Sequence, residues 1–190
     1  ILGCGTVGGG VARVLIENAD DIARKLGIPI ILKKVLVRNL DKKRSIGLGS
    51  DTLTTYPEDI LEEDHVDVVV ELIGGVEPAR EYILSALARG KQVVTANKEL
   101  LAKHGRELWS AAEHAGSALR FEASVAGGVP IIKPLQECLA SNSIYEISGI
   151  VNGTTNFILT KMSTDGWDFS QALEHAQQQG YAETDPSSDI

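Results

Sequence analysis

The sequence predicts a doubly wound α/β fold, in which a parallel β-sheet carries helices on both faces. Short apolar segments that favour buried strands alternate with segments whose apolar residues recur at helical spacing. Strands that alternate with helices in this way pair in parallel through right-handed crossovers. A glycine-rich turn at residues 3–8 lies where the first strand would end and the first helix begin.

The turn at residues 3–8 reads Gly-Cys-Gly-Thr-Val-Gly, the GxGxxG spacing of Rossmann-type dinucleotide-binding folds. Gly3 permits a tight turn, Gly5 lets the backbone approach a pyrophosphate, and Gly8 lets the helix pack against its strand. The free N–H groups of the helix N-terminus would hold the diphosphate. By itself the turn is equally consistent with a plain connection, and the surrounding βαβ pattern favours the nucleotide site.

Composition excludes several classes of partner. The net charge is −8 and no extended lysine or arginine stripe is present, which argues against nucleic-acid binding. No apolar run is long enough for a membrane span, so we predict a soluble protein without a membrane partner. Cys4 and Cys138 are far apart in the sequence, and Cys4 lies inside the turn, which favours free thiols and a cytoplasmic location.

Both ends of the sequence indicate a piece of a longer protein. Only Ile1 and Leu2 precede the first glycine, whereas an average strand has about five residues. With 190 residues, the chain has room for one domain and part of another. We predict a nucleotide-binding domain over residues 1–125 and the beginning of an α+β substrate-binding and dimerisation domain over residues 126–190.

Periodicity and capping residues place the individual elements. Asn97 is expected to cap the helix that begins at Lys98, and Asp168 with Gln171 forms a capping-box pattern. Helices are predicted over residues 6–25, 57–61, 77–90, 105–114 and 169–180, and from residues 98, 130 and 153 onward. Strands are predicted over residues 30–37, 66–72, 92–95, 118–122 and 144–151, the last in an antiparallel or mixed sheet.

The end of the predicted second strand bears on cofactor choice. In the dinucleotide fold an acidic residue there binds the ribose 2′-hydroxyl of NAD, whereas an arginine accommodates the 2′-phosphate of NADP. Arg38 occupies this position, with Lys42, Lys43 and Arg44 close behind it. The pattern favours NADP(H), with NAD(H) and a merely solvated basic turn as the alternatives.

Three further groups of residues have both a functional and a structural interpretation. Lys98, near the end of the fourth strand, could orient an aldehyde oxygen or carry a proton, or could be an exposed helix-start lysine. Glu122 and the small residues of 123–130 could coordinate a hard cation, or form an ordinary turn before a helix. The acidic residues of 183–189 could bind an amino group or lie on a hydrophilic surface turn.

Five segments, taken together, resemble the homoserine dehydrogenase family over essentially the whole chain. They are GCGTVG at 3–8, TANK at 95–98, EASVAGGVP at 122–130, NGT at 152–154, and A-xxx-GYAETDP-xx-DI at 176–190. The last is the most specific. The resemblance implies an NAD(P)-dependent interconversion of L-homoserine and L-aspartate 4-semialdehyde, on the path to threonine and methionine, by a homodimer.

The same resemblance implies roles for individual residues. Lys98 matches a supporting catalytic lysine between cofactor and substrate. Cofactor contacts are implied for Gly3, Gly5, Thr6, Val7, Gly8, Arg38, Ile73, Gly74, Lys98, Gly180 and Glu183. Substrate contacts are implied for Thr154, Tyr181, Glu183 and Asp189. A monovalent-cation site, for sodium, is implied for Glu122 with the carbonyl oxygens of Val125, Gly127 and Val129.

The family signature continues a few residues further, to an aspartate and a lysine that bind substrate and handle its proton. Because the sequence stops before both, we expect this chain by itself to bind cofactor better than it catalyses. Two other functions are consistent with the same motifs: another Rossmann dehydrogenase acting on an amino acid, of the aspartate or saccharopine type, and an NADP-binding module without chemistry. Every assignment assumes that the acidic turn at residues 183–189 lies across the opening of the nucleotide cleft.

Overall fold

The computed structural model describes residues 1–44, 46–150, 152–182 and 186. The chain divides into two compact units, Ile1–Ala140 and Ser141–Ile190. Helices of the first unit are α1 (Thr6–Glu17), α2 (Ala19–Leu26), α3 (Glu58–Leu61), α4 (Ala79–Ala88) and α5 (Lys98–Ala115), with a π-helical turn at Pro134–Cys138. Its strands are β1 (Val35–Leu36), β2 (Leu53–Thr54), β3 (Val68–Glu71), β4 (Gln92–Thr95) and β5 (Leu119–Arg120).

The strands of the first unit form a parallel arrangement around the N-terminal residues. β1 pairs with β2, and β3, β4 and β5 lie side by side in that order. Leu2 bridges the two groups, because it pairs in parallel with Leu36 on one side and with Glu71 on the other. Counting the N-terminal segment as the first strand, the order across the sheet is 3-2-1-4-5-6, that of dinucleotide-binding domains.

Apolar side chains cover both faces of this sheet, as the doubly wound fold requires. Successive strand residues point to opposite faces, so Val69 packs with one buried cluster and Val70 packs against another. The cluster around Val69 includes residues of α4 and α5, while the other contains Ala12 of α1. The predicted fold class is therefore confirmed.

Several element boundaries differ from the sequence prediction. The helix predicted from residue 130 is reduced to a short stretch that contains the π-helical turn at Pro134–Cys138, and the strand predicted over residues 118–122 is reduced to β5. The helix predicted over residues 6–25 is broken at Asn18, which lies between α1 and α2, although Gly27 ends α2 in the left-handed conformation as expected. The strand predicted over residues 30–37 is reduced to β1. Residues 98–115 form one continuous helix that includes Gly105, because its apolar face packs against the sheet on either side of that glycine.

In the described part of the second unit there are two helices, α6 (Gly153–Thr164) and α7 (Phe169–Gln178). Asp168 and Gln171 form the predicted capping box at the start of α7. The strand predicted over residues 144–151 is wrong for 144–150, which form no strand and expose Tyr145 at 97%. A strand needs a hydrogen-bonded neighbour, and no described segment pairs with this one.

Candidate active site

A cleft of about 570 Å³ opens where the strand order reverses, at the carboxyl ends of the first strands. Ligands of open α/β sheets bind at this kind of position. Among its lining residues are Gly3, Gly5, Arg38 and Ile73, which come from three separate parts of the sequence. A second cavity, of about 490 Å³, lies by the amino ends of β3 and β4, and none of its described lining residues is a predicted site residue.

The glycine turn has the geometry that its spacing predicts. Gly3 has a φ of 98°, and a Cβ atom there would lie 2.8 Å from the carbonyl oxygen of Leu72. A Cβ atom on Gly8 would lie 2.1 Å from the carbonyl oxygen of Gly3, so that only glycine allows α1 to lie this close to the turn. Apart from Gly5 itself and its two neighbours in the chain, no atom of the described residues lies within 4 Å of the Cβ position of Gly5, which leaves its backbone open to a ligand.

The remaining predicted residues of the turn are Thr6 and Val7. Both are exposed in the first turn of α1, where backbone N–H groups have no partner within the helix. The N-cap residue is Gly5, which has no side chain to accept a hydrogen bond from these N–H groups. The N-terminus of α1 can therefore present donors to an anionic group.

Basic residues after β1 form one wall of the cleft. Arg38, Lys42 and Arg44 all line it. The guanidinium of Arg44 donates to backbone carbonyls of its own loop, at 2.6 Å to Asn39 and 2.9 Å to Lys42. Arg44 thus holds the loop in shape, while the side chain of Arg38 is exposed at the cleft.

The carboxyl ends of β3 and β4 are joined through Asn97. Its amide nitrogen donates to the carbonyl of Gly75 at 2.6 Å, and its amide oxygen accepts the N–H of Leu100 at 3.1 Å, as the predicted cap. Lys98 is the first residue of α5 and is exposed. Lys98 follows Asn97 in the chain, and Asn97 is hydrogen-bonded to Gly75. The backbone of Lys98 is therefore close to the loop that contains Gly74, whose φ is 80°.

Glu122 organises the turn that was predicted to bind a cation. Its carboxylate accepts the backbone N–H groups of Ile131, Ile132 and Lys133, at 2.5, 2.8 and 2.8 Å. These bonds, that from Lys133 first, lower the pKa of Glu122 below its usual value. Within the described residues, no group of three or more His, Cys, Asp or Glu side chains could hold a metal ion.

The backbone of this turn is bent by two left-handed residues. Ala126 and Gly127 both have a φ of 57°, and the N–H of Val129 donates to the carbonyl of Ala126 at 3.1 Å. That hydrogen bond uses none of the three carbonyls predicted for the cation, those of Val125, Gly127 and Val129.

In the second unit, Thr154 and Tyr181 are in direct contact. The hydroxyl of Thr154 donates to the carbonyl of Tyr181 at 2.6 Å, and the Tyr181 ring stacks on Phe157 with centroids 4.8 Å apart. Gly180 ends the preceding helix with a φ of 78°. Glu183 and Asp189 lie outside the described residues, and their predicted contacts stay predictions.

Sequence reasoning missed part of the cleft wall. Asn39, Thr55, Pro57 and Tyr82 line it, although they belong to loops and to α4 rather than to a motif. Only their position in the sequence could have indicated them, because Asn39 and Thr55 each follow the end of a strand in a parallel sheet.

In the part of the chain that the structure describes, no helix is long and apolar enough to cross a membrane.

The sheet order, the glycine turn and the cleft define a protein with a Rossmann-type dinucleotide-binding fold. A family model described as homoserine dehydrogenase, NAD binding domain, matches residues 3–122, and one described as homoserine dehydrogenase matches residues 130–190. The chain belongs to the homoserine dehydrogenase family.

Individual relatives agree with this assignment. The homoserine dehydrogenase of Bacillus subtilis is 48% identical over 190 residues, which are 100% of this chain and 44% of that protein. The crystal structure of a homoserine dehydrogenase from Thiobacillus denitrificans matches with a TM-score of 0.92 and 52% identity, over 100% of this chain and 44% of that one.

A hyperthermophilic archaeal homoserine dehydrogenase, solved in complex with NADPH, matches with a TM-score of 0.82 and 32% identity, over 100% of this chain and 63% of that one. The chain spans 44% of the length of the Bacillus subtilis relative, which is less than half.

Proposed function

We propose that the full-length protein interconverts L-aspartate 4-semialdehyde and L-homoserine with NADP(H), as a cytoplasmic enzyme of threonine and methionine biosynthesis. The observation that supports this most is the family match together with a cleft formed by the glycine turn and the ends of β1 and β3. Residues 1–125 would bind the cofactor, and residues 126–190 would begin the domain that binds substrate and forms a homodimer.

The predicted site residues in and around the cleft would have distinct tasks in this reaction. A bound nicotinamide would supply or accept the hydride. The N–H groups around Gly5 and Thr6 would hold the diphosphate, and Ile73 with Gly74 would contact the nicotinamide end. Lys98 lies next to that loop and stabilises the negative charge that develops on the substrate oxygen during hydride transfer.

On the substrate side, the Thr154–Tyr181 contact fixes the backbone that leads into residues 183–189. We propose that Thr154 and Tyr181 with Glu183 and Asp189 bind the substrate, and that Gly180 and Glu183 approach the nicotinamide. The hydrogen bond from Thr154 to the Tyr181 carbonyl supports a role in holding the start of this segment.

An assay of the full-length protein tests the proposed reaction. With NADP⁺ we expect formation of reduced nicotinamide with L-homoserine and none with L-aspartate or saccharopine. Turnover of one of the latter instead would favour a different amino-acid dehydrogenase. Tight NADPH binding without any turnover would favour a binding module.

Arg38 should decide between the two nicotinamide cofactors. Arg38→Asp removes the cation that faces the 2′-phosphate and adds a repulsive charge, so the Kd for NADPH should rise by about tenfold or more, since hydrogen bonds to charged groups contribute about 1.5–3 kcal/mol. The Kd for NADH should change much less. Titration of both cofactors into the full-length protein measures the two values.

Lys43→Asp is the matched control for this prediction. It makes the same charge change in the same loop, but Lys43 is not among the residues that line the cleft. Only a small, salt-sensitive loss of affinity for both cofactors is expected. Equal losses of NADPH and NADH affinity in Arg38→Asp would contradict the phosphate-binding role.

We propose that Glu122 and the carbonyl oxygens of Val125, Gly127 and Val129 bind sodium. The carboxylate of Glu122 also accepts the N–H groups of residues 131–133, and these hydrogen bonds tie the two ends of the turn together. Replacement of sodium by choline in the assay should lower activity several-fold, and sodium should restore it at constant ionic strength. Activity that does not respond to sodium would contradict the site.

A further inference from the structure

A buried carboxylate lies directly behind the loop that contains Ile73 and Gly74. Glu71, the last residue of β3, is 0% exposed. One of its oxygens accepts the N–H of Ile73 at 2.8 Å and that of Gly74 at 3.3 Å. Its other oxygen accepts the hydroxyl of Thr95, at the end of β4, at 2.6 Å.

Thr95 connects this carboxylate to the cap of α5. Its side chain is also fully buried, and its hydroxyl oxygen accepts the N–H of Asn97 at 3.0 Å. Asn97 in turn holds the carbonyl of Gly75 through its amide nitrogen and the N–H of Leu100 through its amide oxygen. The hydrogen bonds therefore run from Glu71 through Thr95 and Asn97 to Gly75, and the backbone of residues 71–75 closes the ring.

The direction of these hydrogen bonds requires an acceptor at position 71. An ionised carboxylate only accepts hydrogen bonds, and the three groups that face Glu71 are two N–H donors and a hydroxyl whose oxygen already accepts from Asn97. Both oxygens of the carboxylate are used. A glutamine at this position could keep its amide oxygen on the N–H groups of Ile73 and Gly74, but its NH₂ group would then face Thr95. The Thr95 hydroxyl would have to stop donating to position 71 and rotate toward another acceptor.

Burial of a carboxylate is costly unless all of its hydrogen bonds are made. The apolar strand that precedes it, Val68–Val70, does not need a carboxylate at its end in order to form. What the network fixes is the backbone of residues 73–75 and the start of α5, which carries Lys98. Ile73 lines the cofactor cleft. The carboxylate thus sets the relative position of two elements that the proposed reaction brings to the nicotinamide.

We propose that Glu71 is a positioning residue for hydride transfer, acting through Thr95 and Asn97 on the 73–75 loop and Lys98. The assignment rests on the proposed function, because it needs a nicotinamide at this edge of the sheet. Misplacement of reacting groups by about 1 Å can lower a rate by about 100-fold. Loss of the network should therefore lower kcat more than it raises KM.

Glu71→Gln in the full-length protein tests this assignment, with kcat normalised to the folded fraction. We expect kcat to fall by about tenfold or more, since hydrogen bonds to a charged group are lost, while KM for homoserine changes less than about threefold. Thr95→Val removes the hydroxyl at similar volume and should lower kcat in the same way. The double variant should lose little more than the worse single variant, because both act in one network.

Glu62→Gln is the matched control. It makes the same substitution at an exposed carboxylate that pairs with Arg89 at 3.0 Å, and it should leave kcat unchanged. Lower thermal stability with normal kcat in both Glu71→Gln and Thr95→Val would overturn the positioning role. If Glu71→Gln does not fold, Thr95→Val alone decides. No turnover by the unsubstituted protein would instead overturn the proposed function, and this assignment with it.

Discussion

Gly8→Ala should abolish nucleotide binding by the full-length protein and lower its free energy of unfolding by about 3 kcal/mol, at the upper end of the cost of overpacking. The added Cβ would lie 2.1 Å from the oxygen and 3.0 Å from the carbon of the Gly3 carbonyl. Both atoms belong to the backbone, so no side chain can move aside. Either α1 or the turn must shift, and the diphosphate-binding N–H groups shift with them.

Denaturant unfolding and NADPH titration of the full-length protein measure the two effects. Gly10→Ala is the matched control in the same helix, because Gly10 is exposed and its Cβ position has no atom within 4 Å. Alanine there should stabilise the protein by about 0.5–1 kcal/mol and leave NADPH binding unchanged. Normal binding by Gly8→Ala would show that the cofactor does not use this turn.

Gly5→Ala separates binding from folding at the same site. The Cβ position of Gly5 is open, so the variant should fold normally, yet its methyl group would occupy the space through which a diphosphate approaches the backbone. We expect a stability near that of the unsubstituted protein and a clearly weaker affinity for NADPH. The two variants thus separate a glycine that leaves room for a ligand, Gly5, from a glycine that lets the helix pack against the turn, Gly8.

The parts of the fold that local chemistry determines could be predicted from the sequence. Asn97 and Asp168 cap their helices as expected, and Gly27 ends α2, because each interaction involves residues only a few positions apart. The doubly wound parallel fold class followed from the strand-helix alternation, which allows few topologies. The break at Asn18 had no such signal, since apolar spacing continues through it.

Elements that depend on distant partners were predicted less well. Residues 144–150 have the alternation of a strand, but pairing depends on a neighbour that the pattern of one segment does not specify. The cleft shows the same limit. The glycine turn and Arg38 could be found from a motif and a strand end, whereas Tyr82 reaches the cleft only because α4 packs where it does.

Glu71 was missed because it lies inside a segment, residues 66–72, that was predicted only as a strand. The available signal was its place in the sequence VVVELIGG, between a buried strand and two glycines. An acid at the carboxyl end of a central parallel strand is covered on both faces. It therefore needs hydrogen-bond donors, and the loop that follows supplies two of them.

Lys98→Met should lower kcat of the full-length protein by about 100-fold or more, the usual contribution of a positioned acid, base or charge-stabilising group. The substitution keeps the unbranched chain and removes the charge. Asn97 and its cap remain, so α5 and the loop around Gly75 should keep their positions. Stopped-flow measurement of hydride transfer, together with NADPH titration, separates a chemical effect from weaker cofactor binding.

Two further variants show whether charge at this position matters. Lys103→Met changes a lysine of the same helix that pairs with Glu99 at 2.5 Å on the exposed surface, and its kcat should stay within about twofold, as is usual for surface ion pairs. Lys98→Arg retains a cation and should recover part of the activity lost in Lys98→Met. An unchanged rate of hydride transfer in Lys98→Met would remove Lys98 from the reaction. A loss confined to NADPH affinity would assign it to cofactor binding alone, since the developing charge on the substrate oxygen would then be stabilised by another group.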